Sequence, residues 1–83
     1  MSTFTVRREL TTVLHSEFSR EEVLALLRAV HPGRDYDSSD DEQLAEEFEW
    51  EIGNATLVTD SVVEREWSEV KDVTESVTVG RGM

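Results

Sequence analysis

The segment spanning residues 19–33 constrains the fold most, because it carries signals for both ends of an amphipathic helix. Ser19 and Glu22 have the spacing of a capping box, in which each side chain satisfies a free backbone donor at the helix N-terminus. The apolar residues that follow recur at helical intervals: Val23, Leu26, Leu27 and Val30. Such a stripe must pack against another element, and a proline–glycine pair ends the pattern. The sequence therefore predicts a helix over Arg20–Val30 with one buried face.

Residues 3–14 show the period-two pattern of a half-buried β-strand, with threonines between the apolar positions. The apolar row consists of Phe4, Val6, Leu10 and Leu14. Arg8 is the one charged residue in that row, and Arg7 would point to the opposite face. The pattern predicts one N-terminal strand.

Residues 47–52 alternate between glutamates and large apolar side chains, which predicts a strand with an apolar inner face and a carboxylate outer face. The Gly-Asn dipeptide at 53–54 is typical of a two-residue hairpin turn, and residues 55–59 would supply the returning strand. A second short helix, capped by a serine of the preceding loop and running through residues 40–46, would come just before this hairpin.

Residues 61–79 carry conflicting signals. Ser61 and Glu64 have capping-box spacing, whereas the density of valine and threonine favours strands. We expect a strand over residues 62–70 and a weaker one over 73–79, and the choice between strand and helix after residue 60 stays open.

Together these elements predict an α+β fold, with one amphipathic helix on one face of a three- to four-stranded antiparallel sheet and a possible second short helix. Residues 1–79 would form a single compact domain, and 80–83 a frayed tail. Besides the helix stripe, the predicted core contains Phe4, Phe48, Trp50 and Trp67.

Charge is distributed unevenly along the chain, which has 19 acidic and 8 basic side chains and a net charge of −11. Acids and bases balance as far as Gly33, whereas residues 35–51 hold nine acids and no base. Direct binding to nucleic acid or to an anionic membrane needs clustered Lys and Arg, so neither is expected. The predicted partner-binding residues are Asp35, Asp37, Asp40, Asp41, Glu42, Glu46, Glu47, Glu49, Glu51, Glu64 and Glu66.

Catalytic and metal-binding motifs are weak in this sequence. The chain has no cysteine, and neither of its two histidines, His15 and His31, lies in a catalytic motif, so we expect no enzyme activity and no cofactor. Residues 35–46 match calcium-loop positions 1, 3, 5, 7 and 12 at Asp35, Asp37, Ser39, Asp41 and Glu46. Asp40 stands where such a loop needs glycine, so we expect no specific metal site.

The function these features favour is that of a small, acidic, non-catalytic module that binds a basic protein surface in the cytoplasm. A narrower form is a nucleic-acid mimic of the phage type, which would act in the host cytoplasm by occupying the basic groove of a DNA- or RNA-binding protein. On a strand, Glu47, Glu49 and Glu51 would stand about 6.6–6.8 Å apart, near the spacing of every second phosphate in a duplex. The alternatives are an accessory subunit that forms a homodimer through its sheet, a weak divalent-cation module, or acidity that serves only solubility or salt adaptation.

Overall fold

The computed structural model describes residues 2–9, 12–71 and 76–81, and in that part of the chain it contains four strands and three helices. The strands are β1 (Thr3–Glu9), β2 (Thr12–Ser19), β3 (Trp67–Lys71) and β4 (Ser76–Arg81). The helices are α1 (Arg20–Val30), α2 (Asp41–Glu51) and α3 (Thr56–Arg65). This is the α+β fold that the sequence predicts, with one helix more than expected.

The four strands form one antiparallel sheet in the order β3-β2-β1-β4. β1 lies in the middle, with Val6 opposite Ser16 of β2 on one side and Val79 of β4 on the other. The helices cover one face: α1 packs on β1 and β2, α2 on β4, and α3 on β2. Within the described residues, no helix is both long enough and apolar enough to span a bilayer.

The helix α1 confirms the prediction at both ends. The backbone N–H of Glu22 donates to the Ser19 hydroxyl at 3.2 Å, and the backbone N–H of Ser19 donates to the Glu22 carboxylate at 3.0 Å. This capping box begins the helix, and the apolar stripe beneath it packs on the sheet. Local signals are enough to define this element.

The single N-terminal strand predicted over residues 3–14 is wrong, because β1 ends at Glu9 and β2 begins at Thr12. The inner row continues through even-numbered positions in both strands, with Phe4 opposite Phe18 and Arg8 opposite Leu14. The alternation therefore keeps its phase across the two strands and does not reveal the turn. Leu10 lies outside the described residues.

The hairpin predicted over residues 47–59 is also wrong, because this stretch lies in the helices α2 and α3. Alternation over three apolar residues is too short to outweigh the helix propensity of Glu, Leu, Ala and Gln in α2. The cap is Asp40 rather than a serine. Gly53 has a positive φ of 93°, the conformation that favours glycine just after a helix, so the Gly-Asn pair ends α2 instead of turning a hairpin.

The strand predicted over residues 62–70 is wrong in its first half, because residues 62–65 form the end of α3 and β3 begins only at Trp67. The valines and threonines of α3 are helical despite their strand propensity, because Val58 and Val62 pack into the core from one face of the helix. Residues 73–75 and the end of the predicted tail at 82–83 lie outside the described residues, while β4 runs to Arg81.

The core lies between the sheet and the helices, and its largest fully buried side chains are aromatic. Phe18 of β2 and Phe48 of α2 meet edge to face, with ring centroids 5.1 Å apart. Tyr36, from the connection between α1 and α2, joins them, and its burial raises the pKa of its phenol. The predicted core positions of Trp50 and Trp67 are wrong: Trp50 is 66% exposed on α2, and Trp67 is 43% exposed beside His15 on the sheet face that the helices leave uncovered.

Candidate functional site

The helix α2 has six acidic side chains and no basic one in its eleven residues. Because an α-helix turns once every 3.6 residues, these acids form two sets around the buried stripe of Leu44, Ala45 and Phe48. We call the first set the inner flank, which consists of Asp41, Glu47 and Glu51 and lies on the stripe or along one margin of it. We call the second set the outer flank, which consists of Glu42, Glu46 and Glu49 and lies beyond the other margin. The two flanks have different surroundings.

Two carboxylates of the inner flank are bound by arginines of the same chain. Arg20, the first residue of α1, donates to Asp41. Arg34 donates to both oxygens of Glu47, at 3.2 and 3.4 Å. The same guanidinium lies over the Tyr36 ring, 5.0 Å from its centroid, so the connection between α1 and α2 is held against the inner flank.

The third inner carboxylate, Glu51, is only 4% exposed. Since a carboxylate can only accept, His31 Nε2 donates to Glu51 Oε1 across 3.1 Å. A buried carboxylate needs such a partner, because burial without one removes its hydration with no compensation. Glu51 is therefore part of the packing between α1 and α2.

The contacts at the two ends show that α1 and α2 run side by side in the same direction. Arg20 and Asp41 are the first residues of their helices, while His31 caps α1 and Glu51 is the last residue of α2. The negative ends of both helix dipoles therefore lie close together. α1 has Arg28 in its last turn, whereas the last turn of α2 has no basic residue.

The predicted acids of the loop before α2 have structural contacts. Asp37 pairs with Arg28, and Asp35 accepts from the backbone N–H of Asp37 at 3.0 Å. Asp40 is the N-cap of α2 and accepts from the backbone N–H three residues later at 2.8 Å, a contact that stabilises a helix by about 1 kcal/mol. These side chains shape the loop and start the helix.

The calcium-loop spacing does not produce a cluster of ligands. Asp37 and Asp41 are bound by arginines, and Glu46 lies on the outer flank of α2. In the described part of the chain, no three side chains of His, Cys, Asp or Glu are grouped so that they could hold a metal ion.

The two predicted acids near the end of α3 differ from each other. Glu66, which follows the helix, accepts from Arg8 Nη1 through both oxygens, at 3.0 and 3.1 Å, and its side chain is only 10% exposed. Arg8 is the charged residue in the inner row of β1, so this pair accounts for its position there. Glu64 is exposed on α3.

The outer flank of α2 borders a groove with a volume of about 440 Å³. Glu42, Glu46 and Glu49 line it together with Ala45 and Val79, so that it runs between α2 and β4. All three glutamates are exposed, and none forms an ion pair with any residue that the structure describes. At about 1.5 Å of rise per residue, the first and last of them are about 10.5 Å apart along the helix axis.

Trp50 lies beside the outer flank, one helical turn after Glu46, and is the most exposed large hydrophobic residue in the described part of the chain. Its backbone carbonyl accepts a hydrogen bond from the Asn54 side chain. Sequence reasoning missed this residue because it assigned Trp50 to the inner face of a strand. On a helix, its spacing from Leu44 and Phe48 places it opposite the buried stripe.

The outer flank costs α2 some stability. Glu42 and Glu46 are four residues apart and Glu46 and Glu49 three, and like charges at these spacings destabilise a helix by about 0.2–0.5 kcal/mol per pair. Glu49 lies in the last turn, where the dipole favours cations, whereas Glu42 lies in the first turn, where the dipole favours anions, so these two contributions oppose each other. The like-charge pairs are the net cost of the outer flank to the helix.

Of the eleven predicted binding residues, seven have structural contacts within the chain: Asp35, Asp37, Asp40, Asp41, Glu47, Glu51 and Glu66. The outer flank and Glu64 remain exposed, without an ion pair among the described residues. No protein-family model matches the chain, and comparisons with curated proteins and with solved structures find no similar protein.

Proposed function

We propose that this protein is a non-catalytic binding module of the cytoplasm, or of the host cytoplasm if it is viral, that engages a basic surface of another protein through the outer flank of α2 and Trp50. One observation supports this most directly. The chain binds the inner flank with its own arginines and His31 but leaves the outer flank unpaired among the described residues, although the like-charge pairs weaken the helix.

The exposed tryptophan distinguishes binding from mere solubility. Acids that serve only solubility or salt tolerance do not need a large aromatic side chain beside them. An exposed side chain such as Trp50 lowers solubility, because it leaves a large apolar surface in water. Interfaces commonly combine an aromatic anchor with charged groups around it. The outer flank would speed the encounter with a basic partner by long-range attraction, and Trp50 would supply apolar contact area.

The narrower form, a nucleic-acid mimic, loses the spacing that supported it. Glu47, Glu49 and Glu51 lie on a helix, and two of them are bound within the chain. This form therefore depends on charge alone. If it is correct, duplex DNA or RNA competes with the protein for its captured partner.

The test is capture from a lysate of the native host with the wild-type chain and two matched variants. E42Q/E46Q/E49Q removes the three charges of the outer flank. E17Q/E21Q/D60N removes three exposed carboxylates from β2, α1 and α3, so it has the same net charge.

We expect the outer-flank variant to retain about a tenth or less of the wild-type partner, and the control variant to retain most of it. Trp50→Ala should also lower capture, and salt should weaken binding to the wild type because exposed charges are screened. Equal capture by the two triple variants would refute the proposed function.

A further inference from the structure

The strand β4 is an edge of the sheet and lies directly beside the outer flank. Among the described strands it pairs only with β1, which leaves its other side without a neighbouring strand. The groove that separates β4 from α2 has Val79 and Ala45 on its walls, and the glutamates of the outer flank complete it.

The two edges of the sheet differ in how well they are protected against pairing with another chain. Natural edge strands are commonly interrupted by proline or by a bulge. The pairing of β3 with β2 shifts register between Thr12 and Leu14, which is such an interruption. β4 contains no proline, and its register with β1 runs without a shift through six residue pairs. It is the more regular of the two edges.

Building on the proposed function, we propose that β4 accepts an extended basic segment of the partner protein as an additional strand, whose Lys or Arg side chains enter the groove. Backbone hydrogen bonds to an open edge supply affinity in this mode of recognition, and pockets for alternate side chains supply specificity. Here the groove supplies Glu42, Glu46 and Glu49 as anionic partners.

The dimensions of the groove define the segment. Alternate residues of a strand point to the same side and are about 6.6–6.8 Å apart. The outer flank extends about 10.5 Å along α2, so it accommodates two cationic side chains at positions i and i+2. The segment therefore has a basic residue at every second position over at least three residues.

The same charges oppose pairing with a second copy of this chain. Two copies joined symmetrically through β4 would bring both outer flanks to one seam, with six carboxylates on the same side of the extended sheet. Like charges placed together across an interface disfavour that complex. Charge complementarity selects a basic strand.

The experiment uses synthetic peptides as probes. The first, KVKTKVKTK, has lysine at alternate positions, and the second, KKKKKVTVT, has the same composition with its lysines in one block. Two further forms of the first peptide are N-methylated, one on the lysine backbone nitrogens and one on the intervening nitrogens. Each form blocks one edge of the peptide strand. Binding is measured by fluorescence anisotropy at low salt, and amide hydrogen exchange is followed in β4.

We expect the alternating peptide to bind about tenfold more tightly than the block peptide and to slow amide exchange in residues 76–81. One of the two methylated forms should lose binding and the other keep it. E42Q/E46Q/E49Q should bind the alternating peptide much more weakly than E17Q/E21Q/D60N does.

Equal binding of the alternating and block peptides, without added protection in β4, would overturn strand addition while leaving a cation-binding outer flank. Failure of every peptide to bind would also overturn strand addition. The proposed function is judged separately, by the difference in lysate capture between the two triple variants.

Discussion

The inner and outer flanks of α2 have the same kinds of side chain and opposite roles. The inner flank faces α1 and the connection after it, where Arg20, His31 and Arg34 supply a cation or a donor to each carboxylate. The outer flank faces a groove and the sheet edge. Counting acids along a sequence therefore overstates a binding surface. What matters is the charge that remains after the chain has paired its own residues.

The largest expected effect comes from removing single carboxylates from the two flanks. Glu51→Ala should lower the free energy of unfolding by about 2 kcal/mol, because it removes a buried side chain and leaves His31 without its acceptor. Glu49→Ala should change it by less than about 0.5 kcal/mol. Urea unfolding measures both. Equal losses in the two variants would mean that the flanks do not differ in structural role.

The second prediction is a gain in stability when the outer flank is neutralised. E42Q/E46Q/E49Q should raise the free energy of unfolding by up to about 1 kcal/mol, because it removes two like-charge pairs, while the dipole contributions of Glu42 in the first turn and Glu49 in the last turn oppose each other. Urea unfolding at low salt measures the gain, which added salt should reduce. A variant less stable than the wild type would show that the outer flank supports the fold.

A smaller, pH-dependent effect concerns Glu22, a carboxylate outside α2 that is paired like those of the inner flank. Hydrogen bonds from Arg65 and then from the Ser19 backbone lower the pKa of Glu22 from its ordinary value of 4.5 to about 2. Because the folded chain holds this carboxylate ionised more strongly than the unfolded chain does, its stabilising contribution is complete above pH 4.5. That contribution decreases as the pH falls toward 2.

The variant E22Q has no such titration, so it should lose less stability than the wild type between about pH 5 and pH 3. The difference is modest, because the Arg65 pair is about half-exposed and screened by water. Urea midpoints at the two pH values measure it. The same loss in both proteins would show that Glu22 is not held ionised by this pair.

The smallest expected effect is on self-association. Neutralising the outer flank should allow weak dimerisation through β4 at high protein concentration, whereas the wild type should stay monomeric at low salt and E17Q/E21Q/D60N should resemble it. Sedimentation equilibrium measures the association constant. If the wild type dimerises as strongly as the outer-flank variant, its charges do not protect the edge.

The fold was predictable where its signals are local. The N-cap Ser19, Glu22 and the apolar stripe lie within twelve consecutive residues, and the helix that they define forms as predicted. In α2 the last buried position is occupied by the charged residue Glu51. Because an apolar residue would be expected there, the helical period of the buried positions is hard to recognise in the sequence. His31, the partner of Glu51, is twenty residues away, so the sequence alone does not show that the carboxylate can be buried there.

The sequence was enough to predict that the site is acidic, but not which of the acidic residues belong to it. The run of acids identified α2 as the anionic element, yet which acids stay exposed depends on cations 9 to 58 residues away, as in the pairs Arg28–Asp37 and Arg8–Glu66. Trp50 could be recognised only once the period of its segment was known. Long-range pairing therefore sets the limit of sequence reasoning in this chain.

The pairing of Phe4 with Arg81 has a consequence for the order of assembly. β1 lies in the centre of the sheet, and its neighbour β4 comes from the opposite end of the sequence. Closing a loop of that length has a large entropic cost, so this contact should form after the local ones, and folding should be slower than in a helical bundle of equal size. The strand that we propose as a docking edge would then be the last to join the native structure.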